Sequence, residues 1–226
     1  MNLIGVQAWR VAATVAVLVT WAVASHLGSA GMVGANFAAL VAVLPLVVAA
    51  VVLLWQWRGA GGRAAGLGAL AALLVALWPL LKSNAALLYY LEHVGSLLAL
   101  AVLFGRSLFG AGDALVTSMA RAIYGGTLSE RKQRYTRRVT LAWALFFLAN
   151  AVVSTALFWL TPVRIWSIHA HLLMGPLVAL MFLGEHLVRL RVLPPHERPK
   201  LTDVVRAYRQ RAGDRALQAR DTELRP

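Results

Sequence analysis

Six apolar stretches dominate this chain, at residues 11–27, 37–57, 64–81, 85–104, 139–160 and 167–190. Each approaches the roughly 20 residues that an α-helix needs to cross the hydrocarbon core of a bilayer. Within that core only helices or closed barrels satisfy their own backbone hydrogen bonds. Runs of this length read as helices, so the expected fold is all-α, a polytopic membrane bundle of six transmembrane helices. The first stretch exceeds the apolar core of a signal peptide, and further spans follow it. It is therefore read as an uncleaved first helix.

The basic residues orient the bundle. If the N-terminus is cytoplasmic, then of the 22 lysines and arginines only Lys82 and Arg164 fall outside. Cytoplasmic loops carry this excess, so both termini are expected in the cytoplasm. Removing one span would move either the basic loop or the basic tail across the membrane. The formal net charge of +13 then reflects contact with anionic lipid rather than nucleic acid. No aromatic–basic interleaving or nucleic-acid motif argues otherwise. The 60% apolar content and 14% charged content leave too little polar surface for a soluble domain. The absence of cysteine excludes disulfides, thiolate metal sites and thiol nucleophiles.

The organisation is thus a membrane domain over 1–190 with a cytoplasmic loop at 105–138, and a basic tail over 191–226. Lys82, Ser83 and Asn84 alone separate the third and fourth spans, which predicts a tight helical hairpin. In the loop, Asp113 is positioned to cap a short helix. Leu115, Val116, Met119 and Ile123 recur at helical spacing and give that helix an apolar face. Gly125-Gly126 ends it, Thr127 and Glu130 have capping-box spacing, and SERKQRYTRR continues as helix into the fifth span. An amphipathic helix on the membrane followed by a basic collar is expected. Arg121, Arg131, Lys132, Arg134, Arg137 and Arg138 are the candidate contacts for lipid or an acidic partner. In the tail, Thr202 or Asp203 is placed to cap a basic helix. Seven tryptophans, Trp166 among them, lie near predicted span ends, where an aromatic belt belongs.

Ionisable groups inside a bilayer are costly and carry functional hypotheses. Glu92 and His93 lie within the fourth span, His26 ends the first, and His169 and His171 open the sixth. These five are the candidate intramembrane polar site, all on the outer side. Residues two apart on an α-helix point about 200° apart, so His169 and His171 are not expected to share a face. No histidine pair has the three- or four-residue spacing of helical metal sites, and no metal or other cofactor is expected. Glu185 and Arg189 stand at i, i+4 and are expected to pair within one helix. Asn150 is expected to bond between helices. No P-loop, no GxGxxG after a strand and no GxSxG elbow is present.

From Asn84 onward three segments are distinctive: LLYYLEHVGSLLALAVLFGRSL, RYTRRVTLAWALFF and IWSIHAHLLMGPLVALMFLGEHLVRLRVLP. They resemble an uncharacterised family of bacterial inner-membrane proteins encoded in gene clusters for aryl-polyene and xanthomonadin-type pigments. The resemblance covers about residues 84–208. YTRRVTLAW and the pattern of Met181, Phe182, Glu185 and Arg189 are its most specific parts. The family has Asn rather than His character around residues 169–171, so a histidine site there is a feature of this chain. The resemblance implies a bacterial inner-membrane location beside acyl-carrier-dependent enzymes, and it carries no catalytic residues. Acyl carrier proteins are acidic, which suits a basic inner face. The expected function is a non-catalytic membrane component of a polyene-pigment or acyl-lipid pathway that anchors soluble enzymes or receives their product. The alternatives are a small lipid or polyene translocator, and an intramembrane enzyme acting on an acyl chain.

Overall fold

A computed structural model describes residues 3–56, 59–124 and 128–194. Gly125, Gly126, Thr127 and the expected tail helix lie outside them. The described chain is all-helical: α1 (Leu3–Ser29), α2 (Ala35–Trp55), α3 (Ala60–Ser83), α4 (Ala85–Arg106), α5 (Leu115–Tyr124), α6 (Glu130–Leu160), α7 (Val163–Ser167), a π-helical segment (Ile168–Leu173) and α8 (Met174–Val192). Six helices are long and apolar enough to cross a membrane, the last running from Val163 to Val192 through the π segment. The protein is a multi-pass membrane protein in build. Its helices expose aliphatic side chains such as Val17, Leu53, Val75 and Val152 along their length, which is tolerable only where the surroundings are lipid.

Local chemistry sets the helix ends. Gly31 follows α1 with a φ of 69°, a left-handed conformation that glycine reaches without strain. The Met32 N–H reaches the Leu27 carbonyl at 2.9 Å and the Gly31 N–H reaches that of Gly28 at 3.2 Å. This is the double bond of a Schellman ending. Asn84 alone separates α3 from α4, as the hairpin expectation required. Pro45 and Pro79 lie inside α2 and α3. Pro176 stands just after the π segment. Proline has no N–H to give to the carbonyl four residues back, and a wide π turn relieves that conflict.

The chain divides into two compact units, residues 1–96 with 151–178, and residues 97–150 with 179–226. In the first unit, Val41, Ala42, Tyr89, Tyr90, Trp166 and Ala170 form the buried core. The Tyr89 hydroxyl donates to the Ala38 carbonyl at 3.0 Å, and that of Tyr90 to Thr155 Oγ1 at 3.1 Å. Trp166, expected in an aromatic belt, is instead fully buried. Its Nε1 donates to Ser154 Oγ at 2.8 Å, which removes the need for an interfacial partner.

In the second unit, Phe104, Trp143, Phe147 and Phe182 pack as a group of rings. Hydroxyls join α5 to α6: Thr117 and Thr136 share a 2.8 Å hydrogen bond, and the Val116 N–H donates to Thr140 Oγ1 at 3.2 Å. Capping departs from the sequence expectation. Asp113 pairs with Arg121, and the Leu115 N–H donates to Ser107 Oγ at 2.9 Å. Ser107 caps α5 because an arginine two helical turns beyond competes for the Asp113 carboxylate. At α6, Ser129 Oγ accepts the Lys132 N–H at 3.2 Å, so Ser129 is the N-cap. The helix then runs unbroken from Glu130 to Leu160. Asn150 donates to the Phe146 carbonyl of its own helix at 2.8 Å, so its amide is satisfied within α6 rather than between helices.

Candidate functional site

In the first unit, α4 presents Tyr89, Glu92 and His93 at i, i+3 and i+4, which places them on one face. That face meets the π segment. The Tyr89 and His171 rings lie 5.5 Å apart between centroids. The His93 ring is 6.2 Å from His169 and 6.5 Å from His171. Trp166 closes the group, 6.3 Å from His93 and 5.7 Å from His171. On an ideal helix His169 and His171, two residues apart, point to different sides. In the structure His93 lies near both rings, because it comes from another helix, α4, and one side chain there can neighbour two rings of the π segment.

His26 lies at the end of α1, and its Nδ1 is 2.8 Å from Ser167 Oγ. The same hydroxyl donates to the Arg164 carbonyl at 2.9 Å. A carbonyl only accepts and a hydroxyl has one proton, so His26 Nδ1 carries the N–H of this pair. The His26 Nδ1 is therefore satisfied locally, unlike a nitrogen of His93, His169 and His171.

Four buried polar atoms here have no hydrogen-bond partner in the protein: Glu92 Oε1, His93 Nε2, His169 Nδ1 and His171 Nε2. More than nine in ten buried polar groups are normally partnered, and each orphan costs about 1–3 kcal/mol. The neighbouring tyrosines, tryptophan and serines are all satisfied, so the deficit is confined to groups that can bind or release protons. Among the described residues, no three histidine, aspartate or glutamate side chains are placed to share a metal ion.

The second unit holds a different site. A groove of about 590 Å³ runs between α6 and α8. Arg131, Arg134 and Arg138 line it together with Val139, Ala142, Leu180 and Val188. Tyr135 and Glu185 also line it. Glu185 accepts from Arg189 Nε at 3.0 Å, the i, i+4 pair read from the sequence. Arg134 and Arg138 also border a second groove with Leu108, Phe109, Arg137 and Leu141.

The six basic candidates divide. Arg131, Arg134 and Arg138 are exposed at the groove. Arg121 is held by Asp113, and Arg137 donates to the Leu108 carbonyl at 2.7 Å. Lys132 is only 6% exposed. The reason is helical phase: Lys132 shares the α6 face of Thr136 and Thr140, both buried, whereas Arg131, Arg134 and Arg138 share another. Of the collar of six cations, three thus line one wall of the groove between α6 and α8. Sequence reading missed Tyr135 and Tyr89. Their spacing supplied a signal, since Tyr89 stands three residues before Glu92.

No protein family, curated protein or solved structure matches this chain.

Proposed function

We propose that this chain is a non-catalytic bacterial inner-membrane component of a polyene-pigment or related acyl-lipid pathway. It receives an acyl product from soluble, acyl-carrier-dependent enzymes. The observation that carries this reading is the groove between α6 and α8, where Arg131, Arg134 and Arg138 stand beside an aliphatic wall. An acyl chain with an anionic head matches both: the chain lies along Val139, Ala142, Leu180 and Val188, and the head meets guanidinium groups. The excess of basic residues supports a cytoplasmic position for the arginines, where an acidic carrier protein would approach them.

The test is a visible absorption spectrum of membrane extracts. The compared strains are one lacking the gene, its parent, and strains complemented with wild type or with the R131Q/R134Q/R138Q variant. Loss of a polyene band, restored by wild type and not by a correctly inserted triple variant, supports the reading. An unchanged spectrum in a pigmented strain removes it.

The unpartnered groups around His93 support a second reading, a small lipid or polyene translocator with a polar path. If E92Q abolishes function while the triple arginine variant works, this reading replaces the first.

A further inference from the structure

Three of the unpartnered buried atoms of the first unit belong to neighbouring imidazole rings. His93 stands between His169 and His171, and the face that carries His93 also carries Glu92. The unpartnered nitrogens make no hydrogen bond to one another, and the ring centroids stand 6.2 and 6.5 Å apart. That separation suits one bridging water. A neutral imidazole has one donor and one acceptor nitrogen. It can accept a proton on one nitrogen and release the proton held on the other, and no net charge remains afterwards.

Structural histidines in a core have their nitrogens partnered, as His26 does with Ser167. His93, His169 and His171 each leave one nitrogen unpartnered, and Glu92 leaves one oxygen. We propose that His93, His169 and His171, with Glu92 as terminal acid, form a proton relay within this helical unit. Each transfer moves one proton onto an unpartnered nitrogen and one off the opposite nitrogen, so charge and atoms balance at every step. Other titratable groups at this cluster are Tyr89 and Tyr90 on α4 and His26 on α1. The segment of α6 in this unit and the whole of α2 contribute none, and Arg164 on α7 is exposed. The proposal is independent of the acyl-pathway reading, which rests on the other unit.

The experiment uses the full chain in liposomes holding a pH-sensitive dye, with a potassium gradient and valinomycin to drive protons inward. Wild-type protein is expected to carry protons faster than protein-free liposomes. H93Q and H169N replace one ring nitrogen by an amide nitrogen at a similar position, which preserves hydrogen bonding but cannot pass a proton. Each is expected to lower the flux about a hundredfold, the lower end of the range for loss of a positioned proton-transfer group. Q133A, exposed on α6 in the other unit, keeps the wild-type rate. E92Q tests the same relay should either histidine variant fail to insert. Wild-type flux equal to that of empty liposomes, or flux unchanged by H93Q, overturns the relay. So does a stoichiometric transition metal in the purified protein that H93Q removes, because the cluster is then a metal site.

Discussion

The Tyr135 hydroxyl donates to Glu185 Oε1 at 2.6 Å, and so ties α6 to α8 through an acid that is already paired with Arg189. The Glu185 side chain is 8% exposed and that of Arg189 31%. Removing the acid therefore strands a half-buried guanidinium, which costs more than losing the tyrosine hydroxyl. Y135F should destabilise by about 2 kcal/mol, the scale of a hydrogen bond to a charged group. E185L should destabilise by about 3 kcal/mol or more, and E185L/R189M should recover much of that loss. Thermal unfolding midpoints in detergent check the order. Equal midpoints for Y135F and E185L would show that the ion pair does not stabilise this unit.

Gly28 and Gly68 should respond oppositely to alanine. A Cβ at Gly28 would lie 2.5 Å from the Tyr89 hydroxyl and 3.4 Å from Ala38 Cα. Tyr89 is buried and bonded to the Ala38 carbonyl, so it cannot swing away cheaply. G28A should cost about 1–3 kcal/mol through overpacking. A Cβ at Gly68 meets nothing within 4 Å, so G68A should be neutral or stabilise by up to about 1 kcal/mol through helix propensity. Comparing the two midpoints isolates the packing effect from the change in propensity.

Trp166 should dominate the stability of the first unit. It is fully buried among Tyr90, Phe158 and His171. W166A should cost about 3–5 kcal/mol, the range for deleting a large core aromatic. S154A removes only the acceptor of its indole N–H and should cost about 1–3 kcal/mol. An equal loss in both variants would mean that the hydrogen bond, rather than the packed ring, holds this core.

Ser107 acts locally. S107A leaves the Leu115 N–H without its side-chain acceptor and should weaken α5 by about 1 kcal/mol, as loss of a cap does. Amide hydrogen exchange at the start of α5 should accelerate about fivefold, while α1 and α2 remain unchanged. Acceleration spread over the whole chain would instead mean that α5 unfolds only with the bundle.

Some of this was legible at once. Hydrophobic length alone located six helices, because a bilayer imposes one length on all of them. The α3–α4 hairpin was legible because three residues leave no room for a longer connection. The Asp113 cap was not, since the carboxylate has a closer use in Arg121, and serine at 107 offers an acceptor from eight residues away. Sequence spacing also placed Glu92 and the histidines as candidates, yet argued against His169 and His171 acting together. Spacing within one helix does not reveal that His93, on another helix, reaches both.

By itself, then, the order of residues determined the membrane-spanning helices, the i, i+4 pairing of Glu185 with Arg189, and the identity of the costly polar groups. These depend on length, composition and near-neighbour spacing, which a linear chain already contains. Only the tertiary structure decided that Trp166 is core, that three of the six basic residues line one groove between α6 and α8, and that His93 meets both His169 and His171. Those outcomes depend on which helix faces meet. Packing between segments far apart in the chain decides that, and near-neighbour spacing does not contain it.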